Sequence, residues 1–417
     1  MNTLSSQPYK GTRDWYPEDK AVQNYIFATW KKTVESFGFK EYGAPILEPL
    51  EIYKAKSGDE LAGEQTYAFT DRGGREVAIR PEMTPSVSRM VAARRQELAY
   101  PARLYSIANF MRYERPQRGR EREFWQLNID AFGADGVIAE AETLQLADVL
   151  MKAFGADDSM YEIRVNNREL IDEMTRRYLD LDEARAKQLV RLIDRKNKLP
   201  ADVFVASARE ILGSEEGVAK LEAVFAASSI EELPQALAES AAAQDVRKLF
   251  SLLAQLDVST VRFDVTLMRG LDYYTGTVFE VFDTDTENNR SLFGGGRYDG
   301  LVGMFGVEPT SAVGFAPGLT TTELFLRSHN LLPALGQGVD LYVASVGANE
   351  LAALQMAAKL REEGLIVEVD TTGRKFDKLL KTAEKKGAQE IVFVGDNEVH
   401  SGLFRARNIA TGDEREL

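Results

Sequence analysis

The residues best placed to do chemistry lie in one short stretch, MRYERPQRGRERE, from Met111 to Glu123. It holds Arg112, Arg115, Arg118, Arg120 and Arg122, interrupted by Pro116 and Gly119. A guanidinium presents a planar fork of donors and stays charged at any working pH, so a cluster of them suits phosphate groups. Period-2 alternation along a strand would set Arg112 and Glu114 on one face. Opposite charges pointing the same way could hold a phosphate and an amino group of one ligand. The plainer reading is a solvated basic loop, partly neutralised by Glu114, Glu121 and Glu123. A second candidate is MRGLDYYTGTVFE, where Arg269, Asp272, Tyr273 and Tyr274 crowd ahead of Gly276. Paired aromatics in a strand are usually core, yet tyrosine hydroxyls beside an Arg and an Asp would also suit a small zwitterion. The third is FGGGRYDG at 293–300. Successive glycines weaken a strand, which implies that another group approaches its backbone closely. A phosphate cradle is one such reading, although the spacing fits neither a Walker loop nor a Rossmann turn.

Composition narrows the chemistry further. The 417 residues suffice for two or three domains with full cores. The absence of cysteine removes disulfides, thiolate metal sites and cysteine nucleophiles. The two histidines, His329 and His400, are isolated and expected at the surface, so a histidine metal site or a Ser-His-Asp triad has no support. Catalysis would therefore rest on Arg, Asp, Glu, Tyr, Gln and backbone groups. A net charge of −14 argues against loose binding along nucleic acid but permits a local basic site. No apolar run approaches the ~20 residues of a membrane helix. The N-terminus lacks the basic-then-apolar pattern of a secretory signal, and a cytoplasmic protein without membrane partners is expected.

These groups need a scaffold. Residues 17–37 read as an amphipathic helix, opened by Pro17 and closed near Gly38. FKEYGAPILEPLEIY is extended because Pro45 and Pro49 forbid a helix. TYAFTDRGGREVAIR reads as a hairpin about Gly73 and Gly74, and RPEMTPSVSRM opens a helix. RLYSIANFMRYE and EFWQLNIDAFG are strands joined by the arginine run, so an antiparallel sheet is expected. From about 167 to 257 the apolar spacing turns helical, which reads as an insertion. A catalytic domain over 1–328, a linker at 329–338 and a small α/β domain over 339–417 complete the expected organisation.

In their order and spacing these stretches resemble the histidyl-tRNA synthetase family of class II aminoacyl-tRNA synthetases, along essentially the whole chain. KGTRDWYP resembles the N-terminal signature, YGAPILEP motif 1 and RPEMTPSVSRM the substrate segment. FMRYERPQRGREREFWQLNIDAFG resembles motif 2, and RGLDYYTGTVFE with GGGRYDGL resembles the two histidine-specific blocks. The resemblance implies an α+β catalytic domain with an antiparallel sheet flanked by helices, a helical insertion and a C-terminal α/β anticodon-binding domain. It implies ligation of histidine to tRNA(His), with ATP and Mg2+, by a homodimer in which Pro45 takes the dimer-forming position.

By the same resemblance Arg112 would hold the ATP α-phosphate and the histidine carboxylate. Glu114 would meet the adenine amino group, Phe124 would stack on the base, and Arg120 with Arg122 would meet the outer phosphates. Glu82 and Thr84, flanking Met83, would bind the substrate ammonium, and Gln126 its carboxylate side. Asp130 with Tyr274 would take the imidazole, and Tyr273 and Tyr298 would complete the wall. Arg269 would be the catalytic arginine, while Arg115, Gln117 and Arg118 would face the acceptor end of tRNA. In the C-terminal domain, Arg374, Lys378, Lys381 and Lys385 fall on one helix face, opposite Phe376, Leu379, Leu380 and Ala383. That face is either an RNA surface, with Lys378 and Lys381 at its centre, or a solvated lysine face.

The resemblance breaks at motif 3. Its Gly-Leu-Glu-Arg run is here GLTT, with Thr320 and Thr321 where a cation would grip the γ-phosphate. Either another group, such as Arg120 or Arg122, takes over, or ATP binding is impaired. The departure keeps open a catalytically silent, histidine-binding paralogue like the regulatory subunit of ATP phosphoribosyltransferase. The intact arginine run, Arg269 and the complete C-terminal domain favour the ligase.

Overall fold

The computed structural model describes residues 4–54, 60–196, 199–268, 273–288, 290–336, 338–373 and 376–417. Arg269, Asp272 and Arg374 lie outside the described residues. Two compact units result: Val22–Leu332 with the N-terminal segment through Asp14, and Pro333–Leu417 with Trp15–Ala21.

In chain order the strands of the first unit are β1 (Lys40–Glu41), β2 (Leu47–Pro49), β3 (Ala68–Thr70), β4 (Glu76–Ile79), β5 (Ala102–Met111) and β6 (Glu123–Phe132). They continue as β7 (Tyr161–Asn167), β8 (Val261–Phe263), β9 (Thr277–Asp283), β10 (Ser291–Arg297) and β11 (Ala312–Phe315). A small sheet runs β2-β4-β3, and an eight-stranded sheet runs β1-β5-β6-β11-β10-β9-β7-β8. Its pairs are antiparallel except β1 with β5 and β7 with β8. A parallel neighbour needs a long crossover. Between β7 and β8 that crossover is the series of helices from Arg168–Asp172 to Ala241–Gln255. Four helices of the series are opened by side chains that accept from free backbone N–H groups: Asn167, Asp182, Ser214 and Ser240. Leu189, Val224, Ala243 and Val246 are fully buried in its core.

The longest hairpin is β5–β6, in register from Ala102 opposite Phe132 to Met111 opposite Glu123. Tyr105, Leu127 and Phe132 anchor it in the core without measurable exposure. Pairing ends at Met111, so the arginine run leaves the sheet as a loop. It is closed by a turn in which Gln117 and Arg120 exchange backbone hydrogen bonds of 3.1 and 2.9 Å.

A buried ion pair ties the far side of this sheet to the next layer. Arg297, at the end of β10, meets Glu140 of the helix Val137–Ala153 through Nε at 2.5 Å and Nη2 at 2.8 Å. Its other donors reach the Ala134 and Gly136 carbonyls at 3.2 Å. Removing one partner leaves a buried charge uncompensated. Glu140→Ala should lower the unfolding free energy by roughly 3–5 kcal/mol, read by urea titration; a loss under about 1 kcal/mol would show that the pair is dispensable.

The second unit has a five-stranded sheet, β13-β12-β14-β15-β16, from β12 (Leu341–Ser345), β13 (Val367–Val369), β14 (Glu390–Val394), β15 (Arg405–Asn408) and β16 (Glu414–Glu416). The first three strands are parallel, and β15 and β16 add an antiparallel hairpin. Alternation of strand and helix implies a parallel sheet, which the first three strands form and the hairpin extends. The hairpin carries a single buried residue, Ala406, and pairs Arg405 with Glu416 and Arg407 with Glu414 across the strands. Opposite charges face each other across it, and it has no apolar pattern to read. On the helix Phe376–Lys385, Leu379 and Ala383 are buried while Lys378, Lys381 and Lys385 are exposed, as their spacing predicts.

Candidate active site

Arg112 stands one residue beyond β5. Its Nε donates to the Pro81 carbonyl at 2.9 Å, and its guanidinium carbon lies 5.2 Å from the centre of the Phe124 ring. Its terminal nitrogens have no hydrogen-bond or ion-pair partner among the described residues. One nitrogen fixes the side chain and the remaining fork is left for a ligand. Glu114 does not share its face, because the strand has already ended. The Glu114 carboxylate instead pairs with Arg120 Nε at 2.7 Å, which joins the group expected at adenine to one expected at the outer phosphates.

Arg122 corrects the sequence reading more sharply. It is buried, with its guanidinium 4.1 Å from the Tyr113 ring centre and 5.5 Å from that of Tyr9. Its Nε donates to the Glu114 carbonyl and Nη1 to the Tyr9 hydroxyl, each at 3.0 Å. The Arg122 backbone N–H donates to the Gly11 carbonyl at 2.7 Å. Arg122 is thus a clamp between the loop and the N-terminal segment, and no free phosphate ligand.

At the loop tip, Arg115 is exposed, and Arg118 donates to Asn288 Oδ1 at 3.1 Å beside Glu287. Gln117, Arg118 and Gly119 line a cavity of about 230 Å³ together with Arg290, Thr321 and Leu324. The two threonines of the altered motif are hydrogen-bonded: Thr320 to Glu121 at 2.8 Å and Thr321 to the Leu292 carbonyl at 2.7 Å. Burial raises the Glu121 carboxyl above its ordinary value. With Arg122 committed and Arg120 paired, the cation on this cavity wall with no ion pair among the described residues is Arg290.

Next along the sheet lies a buried cluster of carboxylates and tyrosines. Asp130 on β6 is buried, and the Tyr298 hydroxyl donates to its Oδ1. Tyr298, expected on the pocket wall, is therefore hydrogen-bonded to Asp130 itself. Tyr273 donates to buried Glu82 Oε2 at 3.3 Å, and its ring stands 5.6 Å from that of Tyr298 and 4.9 Å from that of Tyr274. Met83 is fully buried beneath, Thr84 opens the helix Thr84–Ala93, and Gln126 Nε2 donates to the Ala316 carbonyl at 3.1 Å. Burial pushes the Asp130 carboxyl up to about 7, with the Tyr298 hydrogen bond opposing and the nearby Glu82 charge adding to the rise. Burial and the Asp130 charge push the Tyr298 hydroxyl well above its ordinary value.

Within FGGGRYDG, Gly295 and Gly296 are packed against neighbouring strands. A Cβ on Gly296 would lie 2.5 Å from the Thr277 carbonyl and 2.9 Å from the Tyr274 ring. On the neighbouring strand a Cβ at Gly314 would lie 2.2 Å from the Ile129 carbonyl and 2.7 Å from Asp130 Oδ1. What approaches closely is the adjacent strand and the pocket's own tyrosine. Two further residues escaped the sequence reading. Arg80 is buried, donating to the Asn109 and Ala44 carbonyls at 2.9 and 2.8 Å, and so fixes the segment that carries Glu82. His329 is not a free surface group: it meets the Asp283 carboxylate at 2.7 Å and packs 4.6 Å from the Phe325 ring centre. A cation ending the apolar strand EVAIR was the available signal for Arg80; nothing local marked His329.

Among the described residues, no group of three or more His, Asp or Glu side chains is arranged to hold a metal, and no helix is long and apolar enough to cross a membrane.

A sheet whose longest hairpin carries an arginine loop next to a buried carboxylate walled by tyrosines is the catalytic architecture of class II aminoacyl-tRNA synthetases. Residues 11–321 match the histidyl-tRNA synthetase family, and residues 340–417 match an anticodon-binding domain. The chain belongs to the histidyl-tRNA synthetase family. It is 40% identical to a histidine–tRNA ligase of Leptospira biflexa, over 99% of this chain and 95% of the relative. A histidine–tRNA ligase of Haloarcula marismortui is 37% identical over 97% of this chain and 94% of its own. The fold is similar to the histidyl-tRNA synthetase of a Nostoc species, with TM-score 0.82 and 22% identity, covering 100% of this chain and 97% of the other.

Proposed function

We propose that this protein is a histidine–tRNA ligase acting on histidine, MgATP and tRNA(His) in the cytoplasm. The observation that carries the reading is the pairing of two half-sites: the anchored, open fork of Arg112 against Phe124, and the buried Asp130–Tyr298 and Glu82–Tyr273 pairs beside it. In the first step a histidine carboxylate oxygen attacks the α-phosphorus of ATP, the bond to the bridging oxygen breaks, and pyrophosphate leaves. In the second a terminal ribose hydroxyl of tRNA attacks the acyl carbon of the adenylate and AMP leaves. Neither step needs a protein nucleophile. Both need in-line placement and cationic stabilisation of a crowded anion, which suits a chain without cysteine.

In this reading Arg112, with Arg269, stabilises charge at the α-phosphate, and Phe124 stacks on adenine. Glu114 and Arg120 exchange each other for adenine and phosphate contacts when ATP enters. Glu82 and Thr84 hold the substrate ammonium, Gln126 its carboxylate side, and Asp130 with Tyr298 its ring. Arg115, Gln117 and Arg118 meet the acceptor end. Mg2+ arrives with ATP as part of the substrate. Histidine-dependent ATP–pyrophosphate exchange, followed by charging of tRNA in the same preparation, tests the whole. Exchange with histidine alone among amino acids supports it; histidine binding without exchange favours a silent regulatory paralogue instead.

The exposed Lys378 and Lys381 support an RNA surface on the C-terminal unit. Reversing both charges should raise the KM for tRNA in charging several-fold, with an effect that shrinks as salt rises; an unchanged KM removes this face from the interface. Ile46, Leu47 and Phe69 are nearly half exposed near or on the small sheet, which supports a homodimer through that face. Leu47→Glu should then shift the sedimentation coefficient toward the monomer.

A further inference from the structure

We propose that Tyr42 and Ser106 line the amino-acid pocket and read the substrate side chain beside Asp130. The inference rests on the ligase reading and extends it to Tyr42, the first residue of the motif 1 stretch, and to Ser106 on β5.

Three buried polar atoms make no hydrogen bond of acceptable geometry among the described residues: the Tyr42 hydroxyl, Ser106 Oγ and Asp130 Oδ2. They are neighbours. Tyr42 follows β1, and its backbone N–H donates to the Tyr105 carbonyl at 2.9 Å, which sets it beside Ser106. Ser106 lies two residues along β5 from Leu104, the residue that faces Asp130 across the hairpin. The Tyr42 ring packs against the group holding Tyr273, Tyr274 and Tyr298, and also against the group of Met83, Ala108 and Phe110, on which Phe124 packs too. It therefore spans the amino-acid pocket and the nucleotide-side aromatics. Burial first, and then the nearby Asp130 charge, hold its hydroxyl well above the ordinary phenol range, with the adjacent Ser106 hydroxyl and the Arg80 charge opposing.

Buried polar atoms without partners are uncommon, because each forfeits its water for nothing. Three at one place mark space for a polar ligand. An imidazole carries one N–H donor and one ring-nitrogen acceptor, so an acceptor-only Asp130 Oδ2 can take the N–H. Hydroxyls, which donate or accept as required, serve the remaining edge. A ring lacking either nitrogen would leave one of these atoms buried and unmatched, which is a strong basis for rejection.

The test is titration calorimetry of histidine into wild type, Tyr42→Phe and Ser106→Ala, with thermal unfolding of each and the KM for histidine in exchange. Tyr42→Phe should weaken histidine roughly tenfold, the size of one net hydrogen bond, with a Tm close to that of wild type, since Ser106 is the only protein hydroxyl within reach of Tyr42 among the described residues. Ser106→Ala should follow in the same direction. Unchanged affinity in both variants, as expected if an ordered water alone satisfies these atoms, would overturn the proposal. A fall in Tm that accounts for the weaker binding would also overturn it, by making Tyr42 a packing residue. Wild type that fails to bind histidine would defeat the ligase reading and this proposal together.

Discussion

Replacing Arg112 by alanine is expected to lower kcat for histidine-dependent ATP–pyrophosphate exchange by roughly 100- to 1,000-fold. The expectation follows from how the side chain is held. Its Nε is spent on the Pro81 carbonyl, which removes most of the freedom of a long side chain before any ligand arrives. The terminal nitrogens then meet developing negative charge without reorganisation, the condition under which a donor contributes most to a transition state. Arg112→Lys should recover little, because a single ammonium can either bond Pro81 or face the phosphate, whereas the planar fork does both. Thermal unfolding should barely change for the lysine variant. Exchange within threefold of wild type for either variant would show that the charge at the α-phosphate is met elsewhere.

Asp130→Asn should separate stability from function. The native carboxyl titrates at about 7 against 3.8 for an ordinary aspartate. Since the folded-state value is the higher one, the folded protein keeps a proton that the unfolded chain has already released. Stability therefore falls as pH rises from about 4 to about 7, and stays at the lower level above that. An asparagine has no such titration. At pH 8 the variant should gain roughly 2–4 kcal/mol over wild type in urea unfolding, and at pH 4 almost nothing. The same change puts a donor amide where the pocket has an acceptor, so histidine affinity should fall 100-fold or more. Equal stability of the two proteins at pH 8 would mean that Asp130 is not held above its usual range. Unchanged histidine affinity would remove Asp130 from the pocket.

Much of this site was legible before any fold was known. Arg112 and Tyr273 were named from stretches whose residue types imply anion and zwitterion recognition, and Glu82, Phe124 and Tyr298 through the family resemblance; the structure sets Tyr273 against Glu82 and Tyr298, and Arg112 over Phe124. The β5–β6 hairpin and the helix at residue 84 were equally legible, since strand alternation and an early proline are local signals. The misreadings share one physical cause. Arg120 and Arg122 have the same side chain two residues apart, yet one is exposed and paired with Glu114, while the other is buried against Tyr9 and Tyr113. Nothing in the run itself separates them, because the difference lies in an N-terminal segment more than 100 residues away in sequence.

The sequence by itself determined the chemistry on offer: no thiol, two histidines, a concentrated set of guanidiniums, and tyrosines close to carboxylates. It also determined which segments form strands and helices, because apolar period, prolines and capping residues act within a few positions of themselves. Partner choice was decided by the tertiary structure alone. Asp130 is bonded by Tyr298, Gly295 and Gly296 make way for neighbouring strands and a tyrosine, and Tyr42 is brought to a carboxylate 88 positions further along the chain. Those pairings depend on sheet order and register, which join residues far apart in sequence, and on burial, which sets the charge of Asp130 and the cost of every unmatched hydroxyl around it.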